Sequence, residues 1–91
     1  AAAATVDEGA WERKVLRSFM DGERFVSIPA SRKKREVLLR WLVERFPRGE
    51  RLGELEVNAL IKRHHPDCAT LRRELVGMGL LKRERSVYWR E

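Results

Sequence analysis

Apolar residues recur at helical spacing along most of this chain and alternate with polar ones only near its end. Trp11, Val15 and Phe19, with Leu16 and Met20 beside them, follow Asp7 and Glu8, whose charge favours a helix start, and predict a first helix over 7–20. Asp21-Gly22 ends it as a turn, and Phe25-Val26-Ser27-Ile28 before Pro29 reads as a short extended piece. Ser31 is a good N-cap for a second helix over 32–46, whose stripe is Val37, Leu38, Trp41, Leu42 and Phe46 and whose end is set by Pro47 and Gly49.

The clearest helical pattern comes next. Val57, Leu60, Ile61 and His64 follow Glu54 and Glu56, with Gly53 as a tolerable cap, and predict a third helix over 54–64. Pro66 interrupts it, Asp67 caps a fourth over 67–78, and Cys68, Leu71, Leu75 and Met78 share that helix's inner face until Gly79 closes it. Leu80-Leu81-Lys82-Arg83 and Val87-Tyr88-Trp89-Arg90 then read as strands around Glu84-Arg85-Ser86. The expected fold is therefore mainly α with a small C-terminal β-hairpin: a winged helix-turn-helix preceded by an N-terminal helix, with the helix-turn-helix over 54–78 and the wing over 80–90. Residues 7–91 form one domain in this reading, and 1–6 form a frayed, disordered tail.

Charge changes the picture from a fold to a partner. The net charge is +6, and it is concentrated: residues 1–31 hold four basic and five acidic side chains, and residues 32–91 hold sixteen and nine. Most of the cations are arginine, whose planar fork suits phosphate or guanine, although arginine richness also marks GC-rich genomes and heat-stable proteins. Arg32-Lys33-Lys34-Arg35 opens the second helix, where the helix dipole disfavours cations, so helix stability does not explain the cluster; phosphate contact and a solvated face both do. On the fourth helix Thr70, Arg73, Glu74 and Gly77 face outward and Arg72 lies at the margin. Arg72 and Arg73 are the candidates for base preference, with surface pairing to Glu74, Glu56 or Asp67 as the bland alternative. Lys82, Arg83 and Arg85 of the wing would follow the phosphate backbone or enter a minor groove, and Asp67 and Glu74 count against a clean anion-binding face.

Other chemistry is thinly represented. The single cysteine, Cys68, excludes an intramolecular disulfide and suits a reducing cytoplasm, and no apolar run is long enough to span a bilayer. His64-His65-Pro66-Asp67-Cys68 carries metal-capable side chains, but adjacent histidines split by a turn converge poorly on one ion, and no second cluster completes a site. No glycine-rich phosphate loop, nucleophile elbow or paired carboxylate near a histidine stands in the chain, so no metal, cofactor or enzymatic activity is expected. Tyr88 and Trp89, which could stack on unpaired bases, suit core packing better.

The run from Phe25 to Tyr88 resembles the bacterial domain-of-unknown-function family 2087 (DUF2087). The residues carrying the resemblance are Ile28-Pro29 with Lys33-Lys34-Arg35, Glu54-Leu55-Glu56-Val57-Asn58, then His64, Asp67, Thr70-Leu71-Arg72-Arg73-Glu74-Leu75-Val76, Gly79-Leu80-Leu81-Lys82-Arg83 and Tyr88. Leu52 and Gly53 stand where the family has an aromatic and a serine or threonine, which removes a side-chain cap. The resemblance implies a piece of a transcriptional regulator. The expectation is thus a cytoplasmic regulator, or part of one, that binds duplex DNA through Lys33, Lys34, Arg35, Thr70, Arg72, Arg73, Lys82, Arg83 and Arg85. The alternative is a protein-interaction or dimerisation module that pairs with a second copy or another regulatory protein through Trp11, Phe19 and Trp41, with RNA or single-strand binding behind it. A continuous cationic face favours the first, and an exposed apolar patch the second.

Overall fold

The computed structural model describes residues 2–91, with side chains from Gly9 onward. Its elements run α1 (Ala2–Phe19), β1 (Met20–Asp21), β2 (Arg24–Phe25), α2 (Arg32–Val43), β3 (Arg51–Gly53), α3 (Glu54–Lys62), α4 (Cys68–Gly77), β4 (Lys82–Glu84) and β5 (Val87–Trp89). The four expected helices are all present. α1 starts earlier than the acidic pair suggested, because the alanine run ahead of it has the highest helix propensity of any residue type; the side chains of the expected disordered tail, 1–6, lie outside the described residues. α2 stops at Val43, short of Phe46, because Arg45 N–H and Phe46 N–H turn back to Leu42 and Val43, three residues behind, and tighten the last turn. Phe46 still packs into the core from that turn. Among the described residues no helix is long and apolar enough to cross a membrane.

The strands depart further from expectation. The sheet is not a C-terminal hairpin alone: β3 joins it as a third strand in the order β3-β5-β4, antiparallel throughout, with Leu52 opposite Tyr88 and Arg83 on Tyr88's other side. Three residues ending in glycine are too few to show an alternation, which is why β3 left no mark in the sequence pattern. The second correction lies upstream. Met20 pairs with Phe25 and Asp21 with Arg24 in a small hairpin turned by Gly22 at φ 63, so the extended piece ends at Phe25, and Val26 is 68% exposed.

One core holds these elements together. Leu38, Leu39 and Leu42 of α2, Val57 and Ile61 of α3, Leu71 and Leu75 of α4, then Leu81 and Tyr88 of the C-terminal segment are all essentially free of solvent, with Val15 of α1 and Phe25 of β2 closing one side. His64 belongs to this core as its position on the apolar stripe predicted. Its Nδ1 donates to Glu23 O at 2.5 Å, its own carbonyl accepts from Phe25 N–H at 2.8 Å, and its ring stands edge-on to Trp41 at 5.1 Å. The small hairpin is therefore tied to the end of α3 by both backbone and side chain.

The end of α4 sets where the C-terminal hairpin leaves. Gly79 N–H bonds Val76 O at 3.0 Å and Leu80 N–H bonds Leu75 O at 2.9 Å, with Gly79 at φ 75, which is the Schellman arrangement. A side chain at Gly79 would meet open space but not a favourable backbone, so the cost of filling it is conformational. Gly79→Ala is expected to destabilise the domain by about 1–2 kcal/mol, read as a fall in Tm of about 4–8 °C for each kcal/mol; an unchanged Tm would mean that the hairpin's exit is not set there.

Candidate nucleic-acid interface

Asp67, the N-cap of α4, accepts from Thr70 N–H at 3.3 Å. Hydrogen bonding from Thr70, side chain first and backbone second, holds the Asp67 carboxyl below its ordinary value of 3.8. Thr70's hydroxyl thus serves the cap at the start of the helix. Arg73, one turn on, is exposed and has no ion-pair or hydrogen-bond partner among the described residues. Thr70, Arg73 and Gly77 make up the open stripe of α4.

Arg72 goes the other way. Its side chain is only 12% exposed; Nη1 donates to Asn58 Oδ1 on α3, and Nε lies 3.8 Å from Glu54 Oε1. The same Glu54 oxygen accepts from Tyr88 OH at 3.0 Å. Arg72, Asn58, Glu54 and Tyr88 therefore link α4, α3 and β5 in one polar cluster, and the bland alternative for Arg72 holds, although with different partners from those the sequence offered. Glu54 and Asn58 sit four apart on one face of α3. That spacing was readable in the Glu-Leu-Glu-Val-Asn block, and the direction of Arg72 was not. With Gly53 at the N-cap there is no side-chain cap on α3; Glu56 Oε1 accepts from Gly53 N–H at 3.3 Å instead.

Arg35 is likewise drawn inward. Its Nε stands 2.9 Å from Glu74 Oε1, with both side chains about three-quarters buried, joining α2 to α4. The approach is off the N–H axis, so the contact is an ion pair more than an aligned hydrogen bond. Glu74 therefore does not face outward as an unmatched charge, which removes part of the sequence-level objection to an anion-binding face. Lys33 and Lys34 remain exposed at the start of α2, where Ser31 caps the helix by accepting from Lys34 N–H. Each lines a concavity that it shares with Trp11 of α1, and neither lines the notch beside α4.

On the hairpin, Lys82 Nζ lies 3.8 Å from Glu91, a solvent-exposed pair of little consequence for stability. Arg83 bends back along the strand: Nε donates to Arg85 O at 2.6 Å, and the guanidinium carbon stands 5.3 Å from the Tyr88 ring centroid. Arg85 occupies the turn at φ 57, the only non-glycine in the left-handed region among the described residues. Tyr88 is in the core, as expected of a terminal-strand aromatic, and Trp89 is half-buried beneath Arg51, whose guanidinium carbon is 4.0 Å from its ring centre.

Between helix and hairpin lies a notch of about 110 Å³ lined by Arg72, Arg73 and Val76 of α4, Arg83 of β4 and Tyr88 of β5. It brings together three of the sequence-chosen cations; Lys33, Lys34, Arg35, Lys82 and Arg85 are not among its walls. Val76 and Tyr88 are the wall residues that the sequence reading did not select, and no signal beyond their apolar periodicity marks them. His64, His65, Asp67 and Cys68 do not converge: His64 faces Glu23 and Trp41, His65 Nδ1 accepts from Asp67 N–H at 3.0 Å, and Cys68 packs against the core.

The described residues make a small domain of four helices and two antiparallel sheets, with a cationic notch between its last helix and its C-terminal hairpin. The chain belongs to the DUF2087 family, described as uncharacterized protein conserved in bacteria, whose model matches residues 24–90. The match spans everything from β2 to the residue after β5 and leaves out α1 and β1. No curated protein and no solved structure matches the chain.

The polar cluster beneath the notch has a titration signature. Burial, and then the hydrogen bond to Glu54, raise the Tyr88 phenol above its ordinary 10.0. A raised folded value means that this contribution to stability is complete below the unfolded value of 10.0 and is lost as pH rises through the folded one. Tyr88 is the chain's single tyrosine, so ultraviolet titration of the phenolate reads it directly. The midpoint is expected above 10.0 and should fall in Glu54→Ala; a midpoint at 10.0 in the folded protein would contradict the cluster.

Proposed function

We propose that the segment from α2 to β5 is a winged helix-turn-helix that binds duplex DNA, as a bacterial cytoplasmic transcriptional regulator or a part of one. The element order supports this reading: helix, short strand, two helices joined by a turn containing Pro66, then a hairpin, with the strand before the helix pair on the far side of β5 from β4. In such a fold α4 enters the major groove and the hairpin lies along the backbone. The observation that carries the proposal is the shared notch. Arg73 of α4 and Arg83 of β4, on different elements, line one concavity, so a cation of the helix and a cation of the hairpin share one face.

Two further features favour it. Arg85 holds a left-handed turn position that glycine or asparagine fills at lower cost, which places a cation at the tip of the hairpin in spite of the backbone it must adopt. Glu74, the acidic residue nearest Arg73 on the helix, is matched by Arg35. The protein-interaction alternative has less behind it. Phe19 and Trp41 are half-buried against the core, and Trp41 is covered by Phe25, His64 and Arg45. The exposed large apolar residues Trp11, Val26 and Leu55 belong to three different segments of the chain.

The reading assigns roles. Arg73 and Arg83 touch nucleic acid, Lys82, Arg85, Lys33 and Lys34 add backbone charge, and Arg72 and Arg35 position α4. Binding to mixed-sequence duplex DNA over a salt series tests it. The parent should bind with a slope of about −0.9 for each phosphate neutralised, and Arg83→Ala should weaken binding on all sequences and reduce that slope by about 1. Arg73→Ala should weaken binding with an unchanged Tm, whereas Arg72→Ala should lower Tm as well, because it leaves Asn58 without its donor and removes the cation beside Glu54. Absence of duplex binding even at low salt would overturn the proposal and turn the search to a protein partner.

A further inference from the structure

We propose that the notch between α4 and the β4–β5 hairpin is a built seat for a single phosphodiester group. Its ligand class rests on the nucleic-acid reading above, but the seat is defined by its own geometry. The notch encloses about 110 Å³, the room of only a few waters at about 30 Å³ each. A single oxyanion fits in that room, with the rest of a chain left outside in solvent. Three arginines line it, and among the described residues the one carboxylate within ion-pair distance of any of them is Glu54, 3.8 Å from Arg72 Nε and itself shared with Tyr88. Three cations drawn together around one anion leave an excess of positive charge that a bound oxyanion would neutralise.

The three arginines are not equivalent. Arg72 is held by Asn58 and Glu54 and forms a fixed floor. Arg83 is aimed by its bond to Arg85 O, which spends only Nε and leaves its terminal nitrogens for an incoming oxygen. Arg73 has no protein partner among the described residues and closes the third side. Val76 and Tyr88 supply an apolar wall, and the Tyr88 ring is fixed by its phenol bond to Glu54. A low-dielectric wall beside preset donors strengthens each charge-assisted bond, and the planar guanidinium fork matches two phosphate oxygens where an ammonium would meet one.

The seat is tested on the full chain by following arginine Nε–Hε resonances during separate titrations with dimethyl phosphate, a model diester, and with inorganic phosphate. Saturable shifts confined to Arg73, Arg83 and Arg72 are expected with dimethyl phosphate, weakened about tenfold or more in Arg83→Ala. Arg83→Lys, which keeps the charge and loses the fork, should weaken binding less than the alanine variant while leaving the rest of the spectrum in place. Uniform small shifts across all arginines, or equal binding by parent and Arg83→Ala, would overturn the seat. Saturation by inorganic phosphate with none by dimethyl phosphate would overturn the diester assignment in favour of a phosphate monoester. Duplex binding is read separately: if the notch saturates with dimethyl phosphate and duplex DNA does not bind, the nucleic-acid reading falls and the seat stands.

Discussion

A guanidinium cannot be taken from water without partners, and Arg72 is nearly out of water. It is tolerated because Asn58 and Glu54, one turn apart on α3, face it, and because Glu54 is in turn fixed by the phenol of Tyr88 on β5. Arg72 Nη1 donates to Asn58 while its Nε, without a hydrogen-bond partner, stands at ion-pair distance from Glu54, so the contacts of one cation join the last helix to α3. Removing Glu54 takes the carboxylate from Arg72 and the acceptor from the Tyr88 phenol, and leaving such groups unpaired costs more than never having buried them. The notch above depends on this arrangement, since its floor is Arg72 and its wall is Tyr88.

The same logic sorts the chain's many arginines. Several serve the fold: Arg35 joins α2 to α4 through Glu74, Arg24 Nη1 donates to the Arg63 carbonyl at the end of α3, and Arg90 Nη1 donates to the Glu44 and Phe46 carbonyls after α2. The last carbonyls of a helix have no intrahelical donors, so cations there both complete the bonding and oppose the dipole. Arg45 and Arg51 lie on the faces of Trp41 and Trp89 and shield half-buried rings. What remains after this sorting is a shorter set, with Arg73 on the open side of α4 and Arg83 and Arg85 on the hairpin. High basicity is thus two things at once here, a set of structural staples and a cationic surface, and only the second speaks to a partner.

The helices were legible because each carries a full apolar stripe with a stop signal. Ser31, Asp67 and Gly79 act as the caps their residue types suggested. β3 and the β1–β2 hairpin were not legible, since strands of two or three residues are made by their neighbours and carry no period of their own. The candidate site was legible in part. Arg73 and Arg83 stand where helical and strand periodicity put them, but Arg72 and Arg35 were drawn inward by carboxylates on other helices. Adjacent arginines on a helix differ by about 100° in direction. Which of Arg72 and Arg73 turns inward depends on a carboxylate contributed by a different helix, and that is tertiary information.

In the proposed complex α4 and the hairpin present one cationic face built on the Arg72 cluster. The most direct measurement is the backbone and arginine side-chain shift map of the chain on addition of a mixed-sequence DNA duplex. Perturbations are expected to centre on Thr70, Arg73, Gly77, Arg83 and Arg85, with Asn58 and Glu54 changing little because the cluster is already set. Perturbations centred instead on Trp11 and the α1–α2 face, or none at all, would contradict it.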